Sequence, residues 1–554
     1  KDSAVRVFGT IYPFIETDET SLKYGRHVAN FDFLKYLLLK SSFDEYHLFC
    51  LNVNHFNMTK KILLKELDTN KQKEKIRLFL YNHLIDQIKS REYFVFHLGG
   101  WGYFFPGLVY LRNTYAKNKF PITGIIHSLN GIETKYHALK ICTAPVLPYD
   151  TIICSSRAGE RVIQKIFKDI ESDFIRANNK NIYNGKTEII PLGFDHNYLN
   201  PAEKQECRQQ LDIPINSIVL LTLNRFSPHT KADLFPLIKT FQRLIAGIND
   251  VPIHIIMAGA GREHEICFVK QVLSECGLQN HVRIISNFEN KIKPCLYGAA
   301  DVYISVSDNL QETFGISVIE AMASGLPVVV SDINGYSELV SHSINGFKIP
   351  SIWIDEFKLA ELADIMDFNS MQLFFAQCMA IDTEKLYEHL FLLITDKMVR
   401  SKIGANAKES VSNRYCWSKV IKTYEDLWQR LFNQSCTYSG TVDSSTNPFL
   451  NNYLKIFDHY PTTVIQNHHL CRITQEGEKV LLRGIIPLAF SDIGSILDNE
   501  TILKILHCLG RKPMTIFEII SLKTFHKEKD NIKYIILWMA KYSLIQIIFN
   551  TELS

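Results

Sequence analysis

Two glutamates, Glu312 and Glu320, lie where a strand-like run passes into a helix-like run. DVYISVS predicts a strand, DNLQET a polar loop and FGISVIEAMASG a helix that ends at Gly325. Glu312 should therefore precede the helix, and Glu320 should lie within it, one turn beyond Ile316. A carboxylate on that turn can accept both hydrogen bonds of a ribose diol, and one in the loop can meet sugar hydroxyls.

The start of the same predicted helix offers backbone groups to an anion. The first amides of a helix have no partner inside it and carry the positive end of its dipole, so they suit the charge of a departing nucleoside diphosphate. Gly315 has no side chain to block a phosphate. The amides expected to bind the diphosphate are those of Phe314, Gly315, Ile316 and Ser317, and Thr313 is expected as a further donor-binding residue.

Two cations follow the first strand of the same predicted sheet. LNRFSPHTKADL places Arg225 and Lys231 at a strand-to-helix turn, where doubly wound sheets bind phosphate. Arginine binds two phosphate oxygens in a planar fork, and lysine supplies a mobile point charge. They can neutralise a pyrophosphate without a metal, and the chain has no Asp-x-Asp triplet to hold one. We therefore expect no cofactor and no essential metal.

The elements that must hold these residues form two series of alternating strands and helices. The first is AVRVFGTIY, YHLFCLN, YFVFHL, ITGIIH and DTIICS; the second is SIVLLTLNRF, IHIIMAG, VRIIS, DVYISVS and PVVVSD. Proline and glycine in EIIPLGFDHNYLNP separate them near residue 195. The pattern predicts an α/β fold of two Rossmann-like domains, 1–195 and 196–414, that face a cleft.

The last part of the chain has a different pattern. Residues 351–380 are apolar and helix-prone, and YCWSKVIKTYEDLWQRLF predicts an amphipathic helix over 415–432. After the Ser/Thr-rich linker CTYSGTVDSSTNP, a small, mainly helical accessory domain is expected within 434–554, and its IKYIILWMAKYSLIQIIF suggests a winged-helix shape. We expect a protein or oligomer contact there, and no nucleic-acid binding, because no basic helix stands out.

Bulk properties exclude several classes of protein. With 554 residues, 46% of them hydrophobic and 21% charged, the composition is globular, and a net charge of +3 gives no general attraction to polyanions. The twelve cysteines form no CxxC pair, so a disulfide framework or zinc site is not expected. A cytoplasmic location is the expectation, since neither a signal peptide nor a membrane span is evident. The lysine-rich run 59–79 predicts a solvated helix face, with at most peripheral membrane contact.

The stretch ETFGISVIEAMASGLPVVVSDINGYSELV resembles the signature of the GT-B glycosyltransferases of family 4, the retaining group with an E-x7-E motif. The resemblance covers roughly residues 1–435. It implies a metal-independent hexosyltransferase that uses a nucleotide-sugar donor. Glu320 then matches the ribose-binding glutamate and Glu312 the sugar-facing one, and Arg225 and Lys231 match the phosphate pair.

On the first domain the resemblance is more diffuse. His127, in ITGIIHSLNG, matches a histidine that faces the donor sugar, and the helix from Trp417 to Phe432 resembles one that returns to the first domain. Gly25 is the one glycine of SLKYGRHVANF, where the family usually has a Gly-Gly pair for phosphate and acceptor contact. His97 and Trp101, at another predicted strand end, are candidates for a wall of the acceptor site because tryptophan stacks on sugar faces.

Two other functions are compatible with such a frame. A nucleotide-sugar epimerase would need acid and base groups near C2 and C3 of the sugar, and a non-catalytic sugar-nucleotide-binding subunit would need only the donor site. The complete set of Glu312, Glu320, Arg225 and Lys231 favours the transferase. The nucleotide, the sugar and the acceptor, whether glycan, lipid-linked or protein, stay open.

Overall fold

The computed structural model describes residues 5–12, 14–15, 25–66, 70–178, 183–195, 203–355, 358–363, 365–412, 414–443, 447–450, 452–484, 486, 490, 493–494, 496–522 and 531–548. They fall into two compact units. One comprises residues 1–49, 59–78 and 86–446, and the other comprises residues 50–58, 79–85 and 447–554. In the described ranges, no helix combines the length and the apolarity needed to cross a membrane. Residues 196–202, within the predicted crossing, and 444–446, within the predicted linker, lie outside the description.

The first half of the chain forms a seven-stranded sheet in the order β3-β2-β1-β4-β5-β6-β7. β1 pairs in parallel with β2 and β4, and β5, β6 and β7 continue the parallel series. The strands are β1 (Val7–Ile11), β2 (Glu45–Cys50), β3 (Ile76–Leu80), β4 (Val95–Leu98), β5 (Ile122–Ile125), β6 (Thr151–Cys154) and β7 (Lys186–Ile189). The helices are α1 (Gly25–Lys40), α2 (Val53–Glu66), α3 (Asn70–Glu74), α4 (Leu84–Ser90), α5 (Phe105–Tyr115), α6 (Thr134–Thr143) and α7 (Arg157–Asn178).

A second sheet of six parallel strands follows in the order β10-β9-β8-β11-β12-β13. Its strands are β8 (Ile218–Leu223), β9 (Ile253–Gly259), β10 (Val282–Ser286), β11 (Val302–Ser305), β12 (Val328–Ser331) and β13 (Gly346–Ile349). The helices up to β13 are α8 (Lys204–Gln210), α9 (Phe235–Gly247), α10 (Glu263–Glu275), α11 (Lys293–Ala299), α12 (Ile316–Ala323) and α13 (Tyr336–Leu339). The sheet has a hydrophobic core on each face, and neighbours such as Leu220 and Leu221 belong to opposite cores. The predicted pair of Rossmann-like α/β sheets is confirmed.

Some sequence expectations were wrong in detail. The run 59–79 does not stay helical, because its end, IRLF, belongs to β3. The stretch 351–380 contains β14 (Ser351–Trp353), α14 (Phe368–Ala376) and the start of β15 (Met379–Ile381), and β14 pairs with β15 in an antiparallel two-stranded sheet. β7 and β13 were absent from the predicted strands. Their sequences, KTEI and GFKI, contain charged residues or glycine and lack the run of β-branched and aromatic residues that marks the predicted strands.

Three helices follow β15 in the first unit: α15 (Thr383–Thr395), α16 (Lys397–Ser412) and α17 (Trp417–Thr437). α17 packs against α1, and its buried face joins the core of the first sheet. Trp428 is fully buried there and donates an indole hydrogen bond to Thr123 on β5 at 3.2 Å. The chain thus returns to its first sheet after completing the second.

The smaller unit contains a three-stranded antiparallel sheet in the order β17-β16-β18. Its strands are β16 (Leu470–Ile473), β17 (Met514–Thr515) and β18 (Ile545–Ile548), and its helices in the last part of the chain are α18 (Tyr453–Ile456), α19 (Gln475–Arg483), α20 (Asn499–Arg511), α21 (Ile516–Ile520) and α22 (Ile532–Lys541). The expected helix followed by a strand at the end of the chain is observed as α22 and β18.

A buried ion pair fixes the start of the strand that leads to His127. Arg112 on α5 and Asp150 before β6 are both 0% exposed, and Arg112 Nη2 donates to Asp150 Oδ2 at 2.8 Å. Asp150 also accepts hydrogen bonds from the amides of Ile122, at the start of β5, and Leu147. The Asp150 carboxylate therefore links α5 to the starts of β5 and β6.

We predict that Asp150→Ala destabilises the chain strongly. Removing the carboxylate leaves the Arg112 charge buried without its partner, which typically costs about 3–5 kcal/mol in free energy of unfolding. Denaturant unfolding followed by tryptophan fluorescence measures the loss. Glu384→Ala, which breaks an exposed pair with Arg243, is the matched control and should leave the midpoint unchanged. Equal midpoints for the two variants would contradict the assignment.

Candidate functional site

Glu312 and Lys231 form a close ion pair after the carboxyl ends of β11 and β8. Lys231 Nζ donates to Glu312 Oε2 at 2.6 Å, and the side chains are only 12% and 20% exposed. The second glutamate oxygen, Oε1, accepts the amide hydrogen bond of Phe314 at 3.2 Å. β8 and β11 are the neighbours at which the strand order reverses, the place where doubly wound sheets bind ligands. The predicted Glu312 and Lys231 are therefore brought together.

The hydroxyl of Tyr336, which was not among the predicted site residues, also contacts Lys231. It accepts a second hydrogen bond from Lys231 Nζ at 3.0 Å, and it lies 2.9 Å from the Ser305 hydroxyl at the end of β11. Tyr336 is 0% exposed. Tyr336 lies within the motif ETFGISVIEAMASGLPVVVSDINGYSELV, but the sequence alone does not show that α13 directs the Tyr336 hydroxyl towards Lys231.

The electrostatics keep the pair ionised. Burial alone would lower the pKa of Lys231, but Glu312 and Tyr336 outweigh it and raise that pKa above its ordinary value. Burial alone would raise the pKa of Glu312, but the Lys231 charge and hydrogen bond outweigh it and lower that pKa. An ammonium group has three N–H donors, and two of them are used here. One remains for a ligand.

Arg225 stands at the turn just after β8, as predicted. Its Nη2 donates to the carbonyl of Thr230 at 2.9 Å and to Gln311 Oε1 at 3.2 Å. The same segment is joined to the loop after β11 by Ser307 Oγ, which donates to the carbonyl of Lys231 at 2.9 Å. Segment 225–231 and loop 307–312 are thus held as one body, and both predicted cations lie on it.

Gly315 must be a glycine for a reason other than the predicted approach of a phosphate. It caps α12 with a φ of 111°, in the region that favours glycine, and a Cβ there would come within 2.6 Å of the Tyr336 ring. The predicted phosphate contact of the Phe314 amide also needs correction, because that amide donates to Glu312. The first-turn donors of α12 therefore begin with the amides after Phe314.

Glu320 lies inside α12 and is held by two residues of α11. Lys293 Nζ donates to its Oε1 at 2.6 Å, and the Tyr297 hydroxyl donates to its Oε2 at 2.8 Å. A carboxylate accepts about four hydrogen bonds, so both oxygens keep acceptor capacity for a diol. Lys293 and Tyr297 were not predicted, because nothing in the sequence shows that α11 packs beside α12.

His127 follows β5 and is held from one side. Its Nε2 lies 2.9 Å from the carbonyl of Gly99 and 3.0 Å from Asn30 Oδ1, and both of these oxygens accept hydrogen bonds. We therefore assign the proton to Nε2, which leaves Nδ1 as an acceptor. Burial lowers the pKa of His127 to about 4, so the ring is neutral at ordinary pH. His127 can therefore accept a hydrogen bond from a hydroxyl at Nδ1, but it adds no positive charge to the site.

The remaining first-domain candidates lie elsewhere. His97 is 0% exposed, it packs among Phe33, Tyr424 and Trp428, and burial lowers its pKa to about 3. Trp101 is only 6% exposed. Both are core side chains, so the prediction that they form an acceptor wall was wrong. Gly25 begins α1, and a Cβ there would meet nothing within 4 Å, so its backbone shows no need for glycine.

The two sheets meet at the loop that carries Glu312. Ser156, just before α7 on the first sheet, donates from Oγ to the carbonyl of Thr313 at 2.7 Å. Two residues later, the amide of Ala158 donates to Glu338 Oε1 on α13 at 3.0 Å. The predicted donor residue Thr313 thus contacts the first sheet directly, so both sheets contribute to the arrangement of this loop.

Comparisons with known proteins give sequence relatives for part of the chain. Residues 203–364 match the family described as Glycosyl transferases group 1, and this segment contains Arg225, Lys231, Glu312 and Glu320. Over 250 residues the chain is 26% identical to an uncharacterized glycosyltransferase of Methanocaldococcus jannaschii, a match that covers 45% of this chain and 53% of that protein. A D-inositol 3-phosphate glycosyltransferase of Geodermatophilus obscurus is 27% identical over 166 residues, 29% of this chain and 36% of that protein. The chain therefore spans about half or less of these relatives.

Solved structures share the fold at low identity. A glycosyltransferase from Rickettsia africae aligns with a TM-score of 0.52 and 16% identity, covering 77% of this chain and 98% of that one. The Anabaena protein HepE in complex with UDP aligns with a TM-score of 0.51 and 17% identity, covering 77% of this chain and 100% of that one. Residues 203–364 thus resemble glycosyl transferases of group 1, and the chain shares a GT-B-like arrangement of two sheets with these solved structures.

We predict that Lys231→Met makes the stability of the chain depend on pH between 5 and 8. Without the cation, burial raises the pKa of Glu312, so the folded chain holds a proton that the unfolded chain releases above about pH 4.3. The free energy of unfolding of the variant should then fall as pH rises from 5 to 8. At pH 8 it should lie about 3 kcal/mol below that of the original chain. Thermal unfolding at both pH values measures this change.

The original chain should show little change over the same range. The lowered pKa of Glu312 stabilises the folded chain at every pH above the pKa of an unfolded glutamate. The raised pKa of Lys231 stabilises it at every pH below the pKa of an unfolded lysine, about 10.4, so both contributions are constant between pH 5 and pH 8. Lys385→Met, which breaks an exposed pair with Glu388, is the control. If the difference between Lys231→Met and the original chain is the same at pH 5 and pH 8, Glu312 does not depend on Lys231 for its charge.

Proposed function

We propose that the chain is a retaining, metal-independent glycosyltransferase of the family 4 type, which transfers a hexose-type sugar from a nucleoside diphosphate donor to an acceptor hydroxyl. The observation that carries the proposal is the buried Lys231–Glu312–Tyr336 cluster, with Arg225 beside it and the start of α12 next to it. Cations, helix amides and a carboxylate thus lie near one another where the strand order of the second sheet reverses.

The donor half of the reaction follows from these contacts. Arg225, the remaining N–H of Lys231 and the first amides of α12 stabilise the charge that builds on the departing diphosphate. Glu320, held by Lys293 and Tyr297, accepts the ribose hydroxyls with its unused acceptor positions. A nucleotide donor is also supported by the HepE structure of similar fold, which was solved with UDP.

The sugar side is supplied by both sheets. Glu312 accepts hydrogen bonds from sugar hydroxyls, and neutral His127 accepts another at Nδ1 from the first sheet. The C1–O bond to the diphosphate breaks with its electron pair on the diphosphate, and the acceptor oxygen bonds to C1 on the same face. The acceptor proton leaves with the diphosphate, so no carboxylate pair of the hydrolase kind is required.

A protein or oligomer contact through residues 434–554 remains a prediction.

We predict that the purified chain releases nucleoside diphosphate from one donor in a panel of UDP-, GDP- and ADP-sugars with a chelator present. Glu312→Ala and Lys231→Ala should each lower the release rate by roughly 10²–10³-fold, because each removes a preorganised group. Lys385→Ala, on an exposed pair, is the control and should match the original chain. NMR of the product should show the donor's anomeric configuration retained.

Other outcomes favour the alternatives. Nucleotide binding without release would identify a non-catalytic binding subunit, and a sugar inverted at C2 or C3 without transfer would identify an epimerase. Equal release from the variants and the original chain, or release only with added divalent metal, would overturn the mechanism.

A separate prediction concerns Glu320. Glu320→Ala should weaken nucleoside diphosphate binding by about 10–100-fold, because two hydrogen bonds to a charged acceptor are lost. The original chain should prefer a ribonucleotide over its 2′,3′-dideoxy analogue, and Glu320→Ala should not distinguish them. Calorimetric titration of both ligands checks this expectation. If the variant keeps the preference, the ribose is bound elsewhere.

A further inference from the structure

α14 lies between two loops that belong to different sheets. On one side, His229 Nδ1 donates to the carbonyl of Asn369 at 3.2 Å. His229 lies in segment 225–231, which carries Arg225 and Lys231. On the other side, Gln372 contacts Asn130, in the loop of the first sheet that begins with His127. One short helix therefore touches both the diphosphate side and the sugar side of the proposed site.

The contact between Gln372 and Asn130 is a pair of amide hydrogen bonds. Gln372 Nε2 donates to the backbone carbonyl of Asn130 at 3.0 Å, and Asn130 Nδ2 donates back to Gln372 Oε1. Gln372 is only 1% exposed. A buried amide without partners costs about 1–3 kcal/mol, so Gln372 can remain in this position only while the loop of the first sheet meets it.

The other end of α14 is also tied to the second sheet. Gln377, which follows the helix, donates from Nε2 to Asp233 Oδ2 at 3.1 Å, and the Asp233 amide donates to Asp308 Oδ2 at 3.1 Å. Asp233 follows Lys231 by two residues, and Asp308 lies in the loop that leads to Glu312. α14 is therefore fixed to the loops of the second sheet, and Gln372 extends from this fixed base to the first sheet.

We infer that Gln372 is a positioning residue, which sets the loop of His127 against the cations of segment 225–231. The inference rests on the proposed function, because it concerns the distance between the sugar-side and diphosphate-side groups. Its partner Asn130 follows His127 by three residues, so a shift of Asn130 moves His127 with it. Misplacing a reacting group by about 1 Å can cost on the order of 10²-fold in rate.

The residues that hold the nucleotide are not among the contacts of Gln372. Glu320 is held by α11, and the first turn of α12 is fixed by Gly315. Gln372→Ala should therefore lower kcat by about tenfold or more, while the Kd of the nucleoside diphosphate and the KM of the donor change less than twofold. A loss of folding would instead lower the amount of active protein and the unfolding midpoint.

The matched control is a second Gln–Asn pair on the same chain. Gln429 Nε2 donates to Asn433 Oδ1 at 2.9 Å, and both side chains are exposed on α17. Gln429→Ala removes the same kind of hydrogen bond without a connection between the sheets, and it should leave kcat unchanged. Asn130→Ala and the double variant complete a mutant cycle, in which the second change should add little to the first.

Hydrogen exchange gives a measurement that does not depend on turnover. Gln372→Ala should raise the exchange of peptides covering residues 127–131, and Gln429→Ala should not. Unchanged exchange there, a kcat equal to that of Gln429→Ala, or additive effects of Asn130→Ala and Gln372→Ala would each overturn the positioning role. If the original chain releases no diphosphate from any donor, the proposed function fails, and the positioning role fails with it. If the original chain turns over and Gln372→Ala matches it, only the positioning role fails.

Discussion

The buried ion pair between Lys231 and Glu312 is the constraint on which the rest of the site depends. Neither charge is stable at low exposure without the other, so the loops after β8 and β11 must stay together whenever the sheet is folded. The Tyr336 hydroxyl accepts a second hydrogen bond from the Lys231 ammonium group, and the Tyr336 ring leaves room only for a glycine at position 315. The start of α12 is thereby placed beside two cations before any ligand binds. Preorganisation of this kind avoids a reorganisation cost during reaction.

The two sheets contribute unequal halves of the site. The second sheet supplies charge, namely Arg225, Lys231, Glu312 and Glu320. The first sheet supplies a neutral histidine, whose Nε2 is held by Asn30 and Gly99. Its other contributions include hydrogen bonds that reach the second sheet, from Ser156 to Thr313, from the Ala158 amide to Glu338, and between Asn130 and Gln372. In the proposed site the second sheet thus provides the charged groups, and the first sheet provides a neutral histidine and hydrogen bonds that hold the loops in position.

Much of this arrangement is readable from the sequence, and the failures have physical causes. Long β-branched runs such as SIVLLTLNRF give unambiguous strands, and strand ends in parallel sheets converge, which brought Arg225, Lys231 and Glu312 together correctly. His97 and Trp101 also stand at or near a strand end, but the sequence does not show that they point into the core, and α17 buries His97 from more than 300 positions away. Tyr336, Lys293 and Gln372 depend on how one helix packs beside another loop or helix, which spacing along the chain does not encode.

The return of α17 to the first sheet also determines when that sheet can be finished in a cell. Trp428 and its partner Thr123 are 305 positions apart. At a synthesis rate of about 5–20 residues per second, the ribosome needs roughly 15–60 s to make the helix that covers this core. Once β7 has been made, later in that interval, the first sheet is complete in its strands but exposes the apolar surface that Trp428, Tyr424 and Leu431 later bury. The nascent chain therefore exposes this apolar surface until α17 is made, and exposed apolar surface of this kind favours aggregation.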